Sequence, residues 1–335
     1  MENLVKNRVS LIIPIYNGEK YIERSLKSVI NQTYSNIQLI LINDGSNDDT
    51  DRLIQAELPN LKKILSDVKY LKKTNGGVGS ALNEGLKYFD GEFLLLLDVD
   101  DILLKESIEI LVDKMNENPD CSYVYGNGYY VKENNLDDIS SPFYDSTYNG
   151  EKYNIFDLVL KGKVKTWAGS YMIRTSTWLQ NNQGRDIFPS RYGQNMQLVL
   201  PTVYKSKGLY LDKPLMKYIR HDGSITTTFS EDEDNYEVEK VRYNGYEEIY
   251  LNVINKLDIT DKEKYIKYIK YIRYNFLRSK MYLAIWYNHK EGKQFFEELN
   301  RNHELSINDK IAFYKKNNYL LYVYYRLARK LRVMK

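Results

Sequence analysis

Cysteine is almost absent. A single Cys121 in 335 residues excludes an intrachain disulfide framework and fits a reducing cytoplasm. Long apolar runs are missing too. No stretch reaches the ~20 residues a membrane span needs, and Val9–Tyr16, preceded by polar Met1–Arg8, is too short for a secretory leader with its cleavage site. Net charge is nearly balanced at +3 with 28% charged residues, so no nucleic-acid partner is expected. Neither G-x-G-x-x-G after the first strand nor G-x-x-x-x-G-K-[ST] occurs, which argues against a Rossmann dehydrogenase and a P-loop enzyme. The 43% apolar content can build a substantial α/β domain plus a second unit. The 32 tyrosines are spread along the chain and read as helix and core surface.

The most informative stretch is Glu92–Asp101. Four consecutive leucines read as a strand buried on both faces, and it runs into Asp98, Asp100 and Asp101. Clustered acids at an apolar strand end are costly unless a cation sits there. Hard oxygen ligands suit Mg²⁺ or Mn²⁺ bridging to phosphate. The plainer reading makes Asp101 the cap of a helix starting near Leu103–Lys105.

Upstream, strands and helices alternate. Strands are expected at Val9–Asn17, Ile37–Ile42 and Val68–Leu71, and helices at Gly18–Asn31, after a Ser46 or Asn47 cap, and at Ser80–Phe89. This order predicts a doubly wound, mostly parallel sheet, whose ligands bind at the carboxyl ends of its strands. Pro14–Asn17, Asn43–Ser46, Asn75–Gly79 and Asp98–Asp101 all fall at such ends, as expected of one nucleotide site. Further on, the pattern predicts a helix at Leu111–Pro119 and a hairpin turning at Gly126-Asn127. It then gives a mobile loop over Asn134–Gly150, a helix at Tyr153–Leu160, a strand at Trp167–Ile173, a helix at Gly193–Tyr204 and edge strands over Tyr210–Ile219.

In this order and spacing, Val9–Asn17, Asn43-Asp44-Gly45-Ser46, Asn75-Gly76-Gly77 and Leu97–Asp101 resemble a family-2 glycosyltransferase of the GT-A fold over residues 8–225. The resemblance implies metal-dependent, inverting transfer of a hexose or N-acetylhexosamine from a UDP-sugar. The acceptor would be a glycan, lipid-linked or protein-linked, of a bacterial surface polysaccharide or adhesin. It implies that Pro14, Tyr16 and Asn17 line the base pocket and that Asp44 accepts from uracil. Asn75 and Gly76 would border the nucleoside, Lys72 or Lys73 would lie near the phosphates, and Asp98 would face ribose and diphosphate. Asp100, with Asp98 and His221, would hold Mn²⁺ or Mg²⁺.

The family usually places a Glu-Asp pair, its Asp the base, where this chain has Gln194-Asn195. An amide takes no proton at neutral pH. Three readings stay open here: Asp186 substitutes as base; Gln194 and Asn195 bind the acceptor and the base lies elsewhere, for instance Asp101; or the chain is a sugar-nucleotide-binding partner protein with little activity of its own. Leu82 is a second departure, replacing an Arg common before the Asn at position 83. A nucleotidyltransferase shares the metal chemistry, but no glycine- and basic-rich triphosphate loop supports it.

The expected domains are 1–228, the transferase, and 229–335, a helical subdomain for acceptor, membrane or oligomer contacts. Its helices are predicted near 236–255, 261–288, 292–300 and 306–333, with a capping box at Thr260–Glu263 and a solvated acidic hinge over Ser230–Glu239. Residues 310–335 carry eight Lys or Arg and no acid, around an apolar stripe of Leu320, Tyr324, Leu327 and Leu331. Such a helix lies on an anionic membrane or packs on the subdomain or a second subunit, and the pattern does not choose.

Overall fold

A computed structural model describes residues 3–145, 154–221, 235–302, 305–318, 320–321, 323–324 and 326. The chain forms two compact units: Met1–Thr228 with Asn255–Asp258, and Phe229–Ile254 with Ile259–Lys335.

The first unit begins with the predicted alternation: β1 (Val5–Ile15), α1 (Ile22–Ile30), β2 (Ile37–Asn43), α2 (Thr50–Ile64), β3 (Asp67–Lys72), α3 (Val78–Gly85) and β4 (Gly91–Leu96). The four strands lie parallel in the order β3-β2-β1-β4. Every residue of β2 is buried, as a strand covered on both faces requires. Ile22, Leu26 and Val29 recur on one face of α1 and are buried, which docks that helix on the sheet.

The chain continues with β5 (Ile102–Leu103), α4 (Ser107–Glu117), β6 (Cys121–Lys132), β7 (Asn135–Pro142), α5 (Phe156–Leu160), β8 (Tyr171–Arg174), α6 (Thr175–Asn182), α7 (Gln194–Val203) and β9 (Lys207–Arg220). These strands extend the sheet as β4-β8-β6-β9-β5, with β7 against β6. β8 is antiparallel to β4 and β6, whereas β6 and β9 are parallel. A doubly wound half therefore joins a mixed half, and the α/β class is the expected one.

Several local expectations are corrected. Gly126-Asn127 is not a turn but the middle of the continuous strand β6. A Cβ on Gly126 would stand 2.5 Å from the Leu215 side chain, so this glycine answers a close approach between strands. Asn127 is buried, and its Oδ1 accepts from the backbone N–H groups of Phe143 and Tyr144. The loop over Asn134–Gly150 contains strand β7, whose polar, exposed side chains hide it from a hydrophobicity pattern; residues 146–150 lie outside the described residues. β9 is one interior strand rather than an edge. Trp167–Ser170 precedes β8 as a turn, with Ser170 N–H donating to Trp167 O. α2 starts three residues beyond Asn47, and Ser46 spends its hydroxyl on Asn17. Asp101 caps no helix: β5 follows it, and α4 opens only at Ser107.

The second unit contains α8 (Asn235–Lys256), whose last two residues group with the first unit, α9 (Lys262–Trp286), α10 (Glu291–Arg301) and α11 (Ile307–Asn317). Met281, Phe296, Leu299 and Phe313 form its core, with the Phe296 and Phe313 rings stacked at 3.9 Å. Asp261, rather than Thr260, caps α9 by accepting from Lys264 N–H at 3.0 Å. Residues 230–234 of the expected hinge and 327–335 of the expected basic helix lie outside the described residues. Among the described residues, no helix is long and apolar enough to cross a membrane.

Candidate active site

The polar clusters converge at the carboxyl ends of the parallel strands. Asn17 N–H donates to Ser46 Oγ, and Asn17 Oδ1 accepts from Asn47 N–H, both at 3.0 Å. These bonds tie the loops after β1 and β2. Asp44 is 2% exposed and draws in the third loop: it accepts from Gly76 N–H at 3.1 Å, Gly77 N–H at 2.7 Å and the Lys73 ammonium at 2.7 Å. Gly45 makes this possible, because it holds φ +74° and a Cβ there would meet Asn75 N at 2.7 Å. The Asp44 carboxylate is therefore engaged. Tyr16, 50% exposed, Asn75 and Gly76 stand open beside it, and Pro14 is half-buried.

Lys72 turns out of this group. Its ammonium pairs with Asp51 on α2 at 2.8 Å. Successive side chains of a strand point to opposite faces, so the neighbouring Lys73 is the one that reaches the loops.

At the tip of β4, Asp101 N–H donates to Asp98 O at 3.1 Å and closes a tight turn. Asp101 is 1% exposed; its Oδ1 accepts from Ile219 N–H at 3.0 Å, and its Oδ2 has no partner among the described residues. Burial, then the charges of Asp100 and Asp98, push its pKa well above the usual carboxylate range. Asp101 thus fastens β9 to the β4 tip and does not open toward an acceptor. This corrects its assignment as base.

The fastening delivers His221, two residues beyond Ile219. Its Nε2 lies 3.0 Å from Asp100 Oδ2, its Nδ1 3.3 Å from the Tyr21 hydroxyl, and its ring leans on Tyr21 with centroids 4.8 Å apart. The bond to Asp100 raises the His221 pKa. Burial and the Asp100 charge push Asp98 up to about 7. Among the described residues, no Lys or Arg side chain forms an ion pair with these three acids; Arg24 reaches only the Asp100 carbonyl, at 3.3 Å.

Asp100 and His221, hydrogen-bonded at 3.0 Å, put a carboxylate and an imidazole together, and the carboxylate is the donor type that suits Mn²⁺ or Mg²⁺. Asp98 stands farther off. Among the described residues, the one set of three His, Cys or acid groups with ligand atoms within 4.8 Å is Glu237, His289 and Glu291, in the second unit. Asp100 and His221 would hold such an ion, with Asp98 farther off.

Position 195 has a defined environment. The Tyr171 hydroxyl donates to Asn195 Oδ1 at 2.7 Å. Tyr171 is buried, and burial followed by the Asp98 charge pushes its pKa well above normal, so the phenol keeps its proton. Gln194 opens α7. Asp186 is remote from all of this. Its side chain, 76% exposed, pairs with Lys256 at 3.5 Å, and the adjacent Arg185 donates to Phe89 O, before β4 begins. From there the chain runs back along α3, with Ile187 bonded to Asn83 at 2.8 Å and Ser190 O accepting Gly79 N–H at 3.0 Å. Asp186 thus lies toward the amino end of β4, on the order of 20 Å from the β4 tip for a six-residue strand, and cannot be the base. Leu82, the other departure, is buried beside this seam.

Sequence reasoning missed Tyr171, Tyr21 and Gly77. Gly77 was legible, since it sits between Asn75-Gly76 and a helix. Nothing local marks two tyrosines among so many.

This arrangement, a carboxylate–imidazole pair beside a set of strand-end loops, suits transfer from a nucleotide-linked donor. The profile of glycosyl transferase family 2 matches residues 10–178. The chain belongs to glycosyl transferase family 2. This family-2 transferase is 26% identical over 245 residues to glycosyltransferase GlyA of Streptococcus pneumoniae serotype 4, covering 68% of its own length and 33% of GlyA's. It therefore spans about a third of that relative. Among solved structures it is similar to S. aureus TarS 1-349 in complex with UDP-GlcNAc, with TM-score 0.63, 19% identity and coverage of 97% of this chain and 92% of TarS 1-349. It is also similar to the mannosyltransferase PcManGT of Pyrobaculum calidifontis in complex with GDP-Man and Mn²⁺, with TM-score 0.55, 14% identity and coverage of 99% and 86%. The transferase thus has a GT-A-like fold followed by a helical region.

Proposed function

We propose that this glycosyltransferase moves a hexose or N-acetylhexosamine from a UDP-linked donor, with inversion, to a glycan, lipid-linked or protein-linked acceptor. The observation that carries the reading is His221, brought from the far end of the first unit to 3.0 Å from Asp100. A divalent ion at that pair would supply Lewis-acid neutralisation of the departing diphosphate. Asp100 and His221 would hold it, with Asp98 beside them. The exposed Tyr16 ring and the Asn75-Gly76 backbone would border the nucleoside, and Lys73 would swing from Asp44 toward phosphate. Support for UDP comes from TarS, which is described with UDP-GlcNAc; GDP-Man on PcManGT is the competing precedent.

Asn195 gives its oxygen to Tyr171, which leaves its amide N–H groups to donate to the acceptor hydroxyl. The amide orients that oxygen without taking its proton, so the base is another group. We assign the helical unit to acceptor, membrane or second-copy contacts, with the enzyme working in the cytoplasm or peripherally at the inner face of the membrane.

The test is nucleotide release from UDP-hexoses, UDP-N-acetylhexosamines and GDP-mannose with Mn²⁺ and crude glycan acceptors. UDP release is expected; turnover of GDP-mannose alone would remove the donor assignment. The amide at position 195 also favours a second reading, a sugar-nucleotide-binding partner with little activity. Tight UDP binding with no turnover on any acceptor would select it.

A further inference from the structure

We propose that a basic cavity next to Asp100 takes phosphodiester groups of an anionic acceptor chain. The proposal rests on the transferase reading and names the class of acceptor. The cavity, about 590 Å³, runs along α1 and β5 with the two residues that follow β5. Arg24 and Lys27 of α1, Lys105 after β5 and Lys217 of β9 wall it, and no carboxylate does. Lys27 and Lys105 are exposed and form no ion pair among the described residues. Arg24 and Lys217 have outlying partners, Glu133 at 3.6 Å and the 98% exposed Asp137 at 3.4 Å. Ion pairs at such distances and exposures contribute little, so the hollow keeps a strong positive field. Arg24 Nε is buried with no partner of its own.

Position connects the cavity to the reaction. Arg24, one wall of the cavity, donates to the Asp100 carbonyl at 3.3 Å, which ties that wall to a residue proposed to hold the ion. The cavity extends along α1 from Arg24 to Asn31, seven residues or roughly 10 Å away. The proposed donor diphosphate site is at Asp100 and His221, and neither residue lines the cavity. A guanidinium fork with three ammonium groups recognises phosphate oxygens. A chain with repeated phosphodiesters could lay one in the cavity while presenting a hydroxyl to the site. A phospholipid surface fits less well. The cavity's apolar lining is Ile102, Leu103 and Leu104, all buried or half-buried, whereas membrane-seated elements pair their cations with exposed apolar side chains.

The experiment uses the full chain and its Lys27→Glu/Lys105→Glu variant. Fluorescence anisotropy follows a labelled poly(glycerol phosphate) oligomer, calorimetry follows UDP with Mn²⁺, and cosedimentation follows phosphatidylglycerol vesicles. The expected result is oligomer binding by the native chain that weakens at least about tenfold in the variant, with UDP affinity and melting temperature unchanged. Equal oligomer affinity in both proteins, no oligomer binding at all, or binding to vesicles without binding to oligomer would each overturn the proposal. The single Lys105→Ala variant, expected to weaken the oligomer about threefold, guards against a folding defect in the double one. Loss of UDP binding by the native chain would instead count against the donor reading.

Discussion

Among the described residues, two clusters join a histidine to carboxylates, one in each unit. In the helical unit Glu237, His289 and Glu291 are the tighter set. Yet Lys240 already sits between the acids, 2.9 Å from Glu237 and 2.9 Å from Glu291, and the Tyr236 hydroxyl donates to Glu291 at 2.6 Å. The hydrogen bonds from Tyr236 and Lys240 lower the Glu291 pKa. At the β4 tip no lysine or arginine plays that part among the described residues, and burial raises Asp98 and Asp101 instead. The tighter cluster thus has its charge balanced by an internal lysine, whereas burial shifts the β4-tip acids Asp98 and Asp101 toward the protonated form.

The largest expected effect separates the two clusters by activity. Asp100→Ala should lower kcat/KM at least about a thousandfold, roughly 4 kcal/mol of leaving-group stabilisation. Glu291→Ala should leave it within about twofold and lower only the melting temperature. Comparable losses in turnover would break the distinction.

Next is pH. His221 and Asp98 both have raised pKa values, Asp98 at about 7. A raised pKa means that the protonated form favours folding: the contribution is complete below the unfolded pKa and is lost as pH rises through the folded one. A bound ion displaces those protons, so Mn²⁺ affinity should fall by up to about tenfold per pH unit for each proton displaced as pH drops below 7. The rise in melting temperature caused by Mn²⁺ should be larger at pH 8 than at pH 6. A pH-independent shift would contradict the assignment.

Two smaller effects sharpen the comparison. Lys240→Ala removes the internal cation of the helical cluster. A second, weaker Mn²⁺ site should then appear in titration calorimetry, while an unchanged stoichiometry would show that its geometry is unsuited to an ion. Tyr171→Phe removes the bond that orients Asn195 and should raise the acceptor KM about tenfold, the worth of one buried hydrogen bond, without changing UDP affinity. The smallest effect is that of Asp186→Asn, which should leave kcat within about twofold.

Much of this was legible in the sequence, for physical reasons. β2 and β4 are buried on both faces, so they read as unbroken apolar runs. The acids at the β4 tip declared themselves by contrast with the leucines before them. His221 was found through its resemblance to a family motif, not through any local pattern. Strand β7 was invisible because an exposed strand carries polar residues, as a loop does. Gly126-Asn127 misled because turn chemistry and close strand packing call for the same residues. Asp186 misled because sequence distance to Asn195 is short, whereas the intervening chain runs the length of α3. Lys72 and Lys73 differ only in the face they present, which register decides.

The most direct test is calorimetric titration of UDP into the native protein and Asp100→Ala, each with and without Mn²⁺. The account predicts one ion-dependent UDP site per chain in the native protein and loss of the ion dependence in the variant. UDP binding that ignores Mn²⁺, or that keeps its Mn²⁺ dependence after Asp100 is removed, would contradict it.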